Sequence, residues 1–433
     1  MNKTPHIVIV GGGAGGLELA TVLGKRFGKK NQAKITLVDK SLTHIWKPLL
    51  HEIAAGTVNV HDEEINYITH AHENYFKFQL GELVGLDRKA QTIELKFQPL
   101  EKEPILQKIH YDILILAIGS ISNNYNVTGA VKYCNYIDSQ EEAENFQRYF
   151  LNQILGMQQQ ISPDKKGHLD IAIIGGGATG VELAAELRYA TQQAATYGLE
   201  HLRNEENVRI TIIEAADRIL AMLPRRIIAL TLKELKQRQI NVLVKERVIE
   251  VTDTGVYTAS GKFIPATLKV WAAGIQGSDV LKNLDGLETN RNKQLLVRPT
   301  LQTTVDDKIF AFGDCALCPT PDGKSFVPAR AQAAHQQASL LVKSIAKLLK
   351  NEKLPEYRYR DYGSLISLSK SGTVGNLMGN LVKNVLVEGF LARLFYISLH
   401  KLHQAKLFGT WRTAMMTLTN LLSKRVKPRL KLH

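Results

Sequence analysis

Two stretches of the chain repeat one order of apolar and polar positions. His6-Ile7-Val8-Ile9-Val10 is a strand-length run, largely apolar, that leads straight into Gly11-Gly12-Gly13-Ala14-Gly15-Gly16. A helical pattern continues through Gly24, and a second apolar strand, Ile35-Thr36-Leu37-Val38, ends at Asp39. The same order returns at Asp170-Ile171-Ala172-Ile173-Ile174, then Gly175-Gly176-Gly177-Ala178-Thr179-Gly180, then a helix opening Val181-Glu182-Leu183-Ala184. Its second strand, Arg209-Ile210-Thr211-Ile212-Ile213, ends at Glu214. Apolar strands joined by helical segments predict parallel βαβ units. Asn241-Val242-Leu243-Val244, Leu268-Lys269-Val270-Trp271 and Ile309-Phe310-Ala311-Phe312 add further strands. Ser162-Pro163-Asp164-Lys165-Lys166-Gly167 is polar and turn-forming, and marks a boundary between the units. From about Ala346 the pattern turns helical. Leu391, Leu394, Phe395, Leu399 and Leu402 fall at helical spacing, as do Leu407, Trp411, Ala414, Met415, Leu418 and Leu421.

The glycines give the repeated unit its chemistry. In Gly11-x-Gly13-x-x-Gly16 the first permits a tight turn, the second lets the backbone approach a pyrophosphate, and the third allows close helix–strand packing. The anion then sits on a helix N-terminus, where unpaired N–H groups and the helix dipole favour negative charge. Gly175-x-Gly177-x-x-Gly180 repeats the spacing. One such motif is weak; two, each between a strand and a helix and each followed by a strand ending in an acid, are specific for dinucleotides. Asp39 and Glu214 are placed to accept hydrogen bonds from ribose hydroxyls. An acid there also repels a 2′-phosphate, so Glu214 favours NADH over NADPH, with Arg218 near enough to soften the preference.

Length and charge refine this picture. The 433 residues exceed one compact core, so two or three domains are expected. The net charge of +14 is largely C-terminal: residues 389–433 hold nine Lys and Arg and no Asp or Glu. Such a block seeks an anionic partner, and with no nucleic-acid-reading module in the chain a lipid surface fits better than nucleic acid. Charges such as Arg393, Lys401, Lys406 and Arg412 interrupt the apolar runs, which suits helices lying in a membrane interface rather than crossing it. Packing of these faces on the dinucleotide-binding domains or on a second subunit in a homodimer is the alternative. The N-terminus has no secretion signal, which points to the cytoplasm. Cys134, Cys315 and Cys318 are too few for a disulfide framework or a four-sulfur zinc site, and no metal is expected. Cys315-x-x-Cys318 reads first as an inert buried pair.

Three further segments resemble the flavoproteins of the disulfide-reductase architecture, in which an NAD domain is inserted into an FAD domain. Phe312-Gly313-Asp314 looks like their late Gly-Asp, whose acid contacts the flavin ribityl chain. Tyr111–Gly119 looks like the crossover out of the FAD domain, and Trp271-Ala272-Ala273-Gly274-Ile275 like the return near the nicotinamide. Beyond this, the chain closely resembles the type II NADH dehydrogenases, the single-subunit, non-pumping NADH:quinone oxidoreductases, in particular their proteobacterial branch. His44-Ile45-Trp46-Lys47-Pro48-Leu49-Leu50 looks like their flavin and quinone pocket segment. Ala331-Gln332-Ala333-Ala334-His335-Gln336-Gln337 looks like their quinone-site helix, and the basic C-terminus like their membrane anchor.

The resemblance implies an α/β fold: two Rossmann-like domains plus a C-terminal amphipathic helical membrane-anchoring region. FAD, held non-covalently, is expected over residues 1–125 and 298–345, NADH over 165–297, and membrane association over 346–433. It implies hydride transfer from NADH to FAD and reduction of a membrane quinone at the cytoplasmic face of the inner membrane. Expected cofactor contacts are the six motif glycines, Asp39, Lys47, Pro48, Gly119, Gly313, Asp314, Glu214, Ala273 and Gly274. Gln332 and Gln336, four apart on one helix face, offer neutral amides to quinone and flavin carbonyls, or else form a polar surface stripe. Glu182 either assists protonation near the quinone or complements a helix dipole. His335 is a proton carrier or a packed histidine. A sulfide:quinone-type or disulfide-type reductase would need reactive cysteines beside the flavin, and Glu214 argues against the former. A non-enzymatic redox sensor is separated from the enzyme by turnover.

Overall fold

The computed structural model of the chain describes residues 4–158, 168–203, 205–368, 373–379, 382–423 and 430. The first unit is a five-stranded parallel sheet. Its strands are β1 (His6–Val10), β2 (Lys34–Asp39), β3 (Lys77–Leu80), β4 (Ile113–Leu116) and, from far along the chain, Ile309–Ala311. In space the order is Ile309–Ala311, β4, β1, β2, β3. The register sets Ile7, Val8, Ile9 and Val10 opposite Ile35, Thr36, Leu37 and Val38 on one side, and opposite Ile113–Leu116 on the other. These apolar runs do not alternate with polar residues because both sheet faces are covered, and Ile7, Val8 and Ile9 are fully buried.

The second unit is a four-stranded parallel sheet inserted between β4 and Ile309–Ala311. It comprises β5 (Leu169–Ile174), β6 (Val208–Ile213), β7 (Ile240–Leu243) and β8 (Leu268–Trp271), ordered β7, β6, β5, β8. Its helix is Ala178–Thr196, and the corresponding helix of the first unit is Ala14–Leu23. The chain passes between units at two points, which pair with each other: Ile121 and Ser122 lie antiparallel to Gln276 and Ile275. The polar stretch 162–167 falls outside the described residues.

Between β3 and β4 the chain makes an antiparallel sheet of Glu82–Asp87, Thr92–Phe97 and Ile105–His110. One feature departs from the sequence expectation: the stretch after Ala346 is not helical throughout. Helix Ala331–Leu348 ends, and three antiparallel strands follow: β9 (Gly363–Ser367), β10 (Thr373–Gly379) and β11 (Val382–Glu388). Gly375, Gly379 and the β-branched Val374, Val382, Val385 and Val387 explain the difference, since glycine is costly in a helix and valine suits a pleated surface. Helicity resumes at Gly389–Phe408 and, after Gly409 at φ +85°, at Thr410–Ser423. Leu407 is buried, whereas Leu399, Leu402, Trp411, Met415, Leu418 and Leu422 are exposed. Among the described residues no helix is long and apolar enough to cross a membrane. The basic end, Arg425 to His433, lies outside them except for Leu430.

Candidate functional site

Each glycine turn sits at the C-terminal edge of its sheet, where a strand hands over to a helix. Gly11 has φ +104°, and a Cβ there would lie 2.3 Å from the Ala117 carbonyl oxygen. A Cβ on Gly16 would lie 1.8 Å from the Gly11 oxygen. Both positions are glycine for internal reasons. Gly13 is different: its φ of −59° and ψ of −177° are open to any residue, and a Cβ would meet no protein atom within 4 Å. Gly177 repeats this, with φ −74°, ψ −176° and nothing within 4 Å. Backbone that nothing in the chain requires to be glycine is the cradle a pyrophosphate needs, so both turns fit a dinucleotide.

The acids are tied to these turns. Asp39 accepts from the Gly12 N–H at 2.6 Å and the Ser41 N–H at 2.8 Å. Glu214 accepts from the Gly176 N–H at 2.6 Å and the Ala216 N–H at 2.7 Å. Burial raises the Asp39 carboxyl above its ordinary value despite those bonds. In each unit the carboxylate is therefore fixed beside the turn before any ribose arrives.

A third group gathers where the units meet. Lys47, opening the short 3-10 turn Lys47–Leu49 with Pro48, donates to the Ser120 carbonyl at 2.9 Å and lies 3.7 Å from Asp138. The Ser120 hydroxyl donates to Asp314 at 3.1 Å, and Gly119 and Gly313 both have φ +72°. The Gly313 N–H donates to Gln337 Oε1 at 2.9 Å. Across the paired crossovers, Gly274 has φ +65°, and the Trp271 indole donates to the carbonyls of Asn123 and Ala273. Lys47, Gly119, Gly313 and Asp314 thus come together as the sequence suggests. Gln337 was not singled out; its signal was only its place one residue beyond Gln336.

Gln332 and Gln336 share one helix face, but their amides are engaged by the chain. Gln332 donates to Asp361 and to the Gly363 carbonyl, both at 3.2 Å, and accepts from the Tyr362 N–H at 3.1 Å. Gln336 donates to the Arg360 carbonyl at 2.8 Å and accepts from its N–H at 3.0 Å. They bind the helix Ala331–Leu348 to the segment leading into β9. That strand carries Ser367, whose N–H donates to Glu182 Oε1 at 2.9 Å. Glu182 is 8% exposed, and burial lifts its carboxyl to about 8, against the Ser367 bond and with Glu52 and Glu186 adding to the rise. His51 Nδ1 is 3.8 Å away, but burial holds His51 down at about 4, so at neutral pH the two face each other uncharged rather than as an ion pair.

The three cysteines are free thiols. Burial pushes Cys315 to about 11 and Cys318 to about 12, and Cys315 hydrogen-bonds the carbonyls of Phe312 and Leu116. Burial pushes Cys134 to about 12 as well. Thiols this far from ionisation are poor nucleophiles.

Comparison with known proteins agrees with this geometry. Residues 5–338 match the family described as pyridine nucleotide-disulphide oxidoreductase. A type II NADH:quinone oxidoreductase of Haemophilus influenzae is 41% identical over 444 residues, covering 99% of this chain and all of the relative. One from Staphylococcus aureus is 27% identical over 380 residues, covering 86% of this chain and 90% of the relative. Among solved structures, NDH2 from Plasmodium falciparum in complex with NADH superposes with a TM-score of 0.84 at 20% identity, with both chains fully covered. The sulfide:quinone oxidoreductase of Aquifex aeolicus reaches 0.73 at 19% identity, covering 93% of this chain and 91% of the other. At such identities these two structures bear on the fold alone.

Proposed function

Since the chain belongs to the pyridine nucleotide-disulphide oxidoreductases, and within them to the type II NADH:quinone oxidoreductases, we infer that it is a flavoenzyme that oxidises NADH and reduces a quinone. The observation that carries this reading is the pair of open glycines, Gly13 and Gly177, each beside a carboxylate already bound to its turn. Bound FAD supplies a two-electron carrier between nicotinamide and quinone. The Gly11–Gly16 turn and Asp39 would hold its pyrophosphate and ribose, with Lys47, Pro48, Gly119, Gly313 and Asp314 along its length. The Gly175–Gly180 turn and Glu214 would hold NADH, with Ala273 and Gly274 beside the nicotinamide. The corresponding domains are residues 1–125 with 298–345, and residues 165–297.

The overall reaction, NADH + H⁺ + quinone → NAD⁺ + quinol, takes up one proton. Glu182 is suited to deliver it, because its carboxyl keeps its proton through neutral pH and gives it up only near pH 8. Gln332 and Gln336 serve this acid by holding the segment that presents the Ser367 N–H. On the helix Thr410–Ser423 the exposed Trp411, Met415, Leu418 and Leu422 recur at steps of four, three and four, a single apolar face. With the surrounding Lys and Arg, that face suits shallow burial in an anionic membrane surface, from which quinone is drawn.

The test is anaerobic reduction of the yellow holoprotein by NADH, followed by a short-chain quinone. Bleaching by NADH and return of colour with quinone are the expected half-reactions. Flavin that bleaches and then stays reduced rules out quinone as the oxidant.

A further inference from the structure

Glu18, His44, His335 and His403 come from four separate elements and join in one hydrogen-bonded chain that the reaction above does not use. Glu18 lies on the helix Ala14–Leu23, His335 on Ala331–Leu348, His403 on Gly389–Phe408, and His44 in the short strand Thr43–His44. Glu18, His44 and His403 are all at most 5% exposed. Glu18 Oε2 meets His335 Nδ1 at 2.6 Å, and Oε1 meets His403 Nδ1 at 2.7 Å. His403 Nε2 meets His44 Nε2 at 3.1 Å, and His44 Nδ1 meets the Gly12 carbonyl oxygen at 2.9 Å. The Tyr67 hydroxyl donates to the same oxygen at 2.7 Å.

The protons follow from donors and acceptors. A carbonyl only accepts, so His44 carries a proton on Nδ1. Burial and the neighbouring His403 hold His44 down at about 3, so it is neutral and its Nε2 accepts. His403 must then donate from Nε2. On its other side its Nδ1 faces the Glu18 carboxylate. Burial works against the Glu18 charge, but the bonds from His335 and His403 prevail and hold its carboxyl below the ordinary value. In a trans peptide the C=O and N–H point opposite ways. Holding the Gly12 carbonyl on His44 and Tyr67 thus turns the Gly13 N–H toward the other side of the turn.

We propose that His403 is a positioning residue for the FAD-binding turn: bridging Glu18 and His44, it latches the C-terminal helix onto the Gly12 carbonyl and so fixes the Gly13 N–H that faces the pyrophosphate. The proposal rests on the assignment of FAD to the Gly11–Gly16 turn.

FAD release from the full-length holoprotein, read by flavin fluorescence after filtration, tests this. His403→Phe, which keeps an aromatic ring in place, is expected to weaken FAD binding about tenfold, the effect of one lost hydrogen bond to a charged group. Glu18→Gln, which has nearly the same volume, is expected to weaken it in the same direction, and the double variant no further than His403→Phe alone, because both act through one chain of bonds. Wild-type affinity in His403→Phe overturns the latch, as do additive losses in the double variant. If His403→Phe does not fold, wild-type affinity in Glu18→Gln overturns it instead. Asp39→Ala separates the two layers. If it keeps FAD at wild-type affinity, the turn is wrongly assigned and the latch falls with it; if it releases FAD while His403→Phe does not, the latch alone is wrong.

Discussion

Replacing Glu182 by glutamine removes one proton and almost no volume, and its effects on stability and on catalysis run in opposite directions. Burial, with Glu52 and Glu186 nearby, lifts the carboxyl from 4.5 to about 8. At about 1.4 kcal/mol per pK unit, that interval corresponds to roughly 5 kcal/mol of native stability. A raised value means that the folded chain binds the proton more tightly than the unfolded chain. This stabilisation is therefore fully present below about pH 4.5 and is lost as the pH climbs to about 8. Glu182→Gln cannot ionise, so its melting temperature should exceed that of wild type near pH 9 and match it near pH 5. Catalysis should suffer in one half-reaction only. In stopped-flow traces, flavin reduction by NADH should change by less than about twofold, while reoxidation by quinone slows about 10²-fold or more, the usual scale for a lost general acid. Wild-type reoxidation should decline above about pH 8 as the acid form disappears. Reoxidation of Glu182→Gln at the wild-type rate, or a wild-type profile flat through pH 8, would refute this role.

Three further outcomes follow from the site and the tail. Gly13→Ala should leave the melting of the apoprotein within about 0.5 kcal/mol of wild type yet lose FAD, because its Cβ meets no protein atom; Gly16→Ala, with a Cβ 1.8 Å from the Gly11 oxygen, should not accumulate folded. Equal flavin content and equal melting in both variants would remove the distinction drawn between the two glycines. Glu214→Gln should raise the ratio of kcat/KM for NADPH over NADH about tenfold by removing a charge from beside a 2′-phosphate; steady-state kinetics showing an unmoved ratio would count against Glu214 as the discriminator. Trp411→Glu with Leu418→Glu should lower co-sedimentation with anionic vesicles at least about tenfold, since each apolar side chain withdrawn is worth about 1.5–3 kcal/mol, while turnover with a water-soluble quinone persists. Undiminished co-sedimentation would mean that this face does not meet the membrane.

The parts of the fold legible in the sequence are those written locally. Strand, glycine turn, helix and acid lie within a few dozen residues, and Asp39 and Glu214 mark strand ends that the structure ties back to their own turns. The illegible parts depend on distance along the chain. Glu18 and His403 are 385 residues apart, and nothing in either neighbourhood announces the other. The amides of Gln332 and Gln336 share a face, as their spacing indicates, but spacing cannot show that Arg360 to Gly363 occupies them. The strands from Gly363 to Glu388 are obscured for a third reason: this acid-poor stretch runs without a break in pattern into the helical tail that follows, although its glycines and valines favour a sheet.

The place of Ile309–Ala311 at the edge of the first sheet has a consequence for biosynthesis. As the chain leaves the ribosome, β1 to β4 emerge early, but the strand that covers β4 follows only after the entire inserted unit. Until then the outer edge of Ile113–Leu116, an apolar strand buried in the finished protein, is an unpaired template for a foreign strand. The inserted sheet has no such debt, since all four of its strands lie between residues 169 and 271. The nascent chain should therefore complete its second unit before its first, and its most aggregation-prone interval, the one in which chaperone binding would matter, lies between the emergence of β4 and that of Ile309.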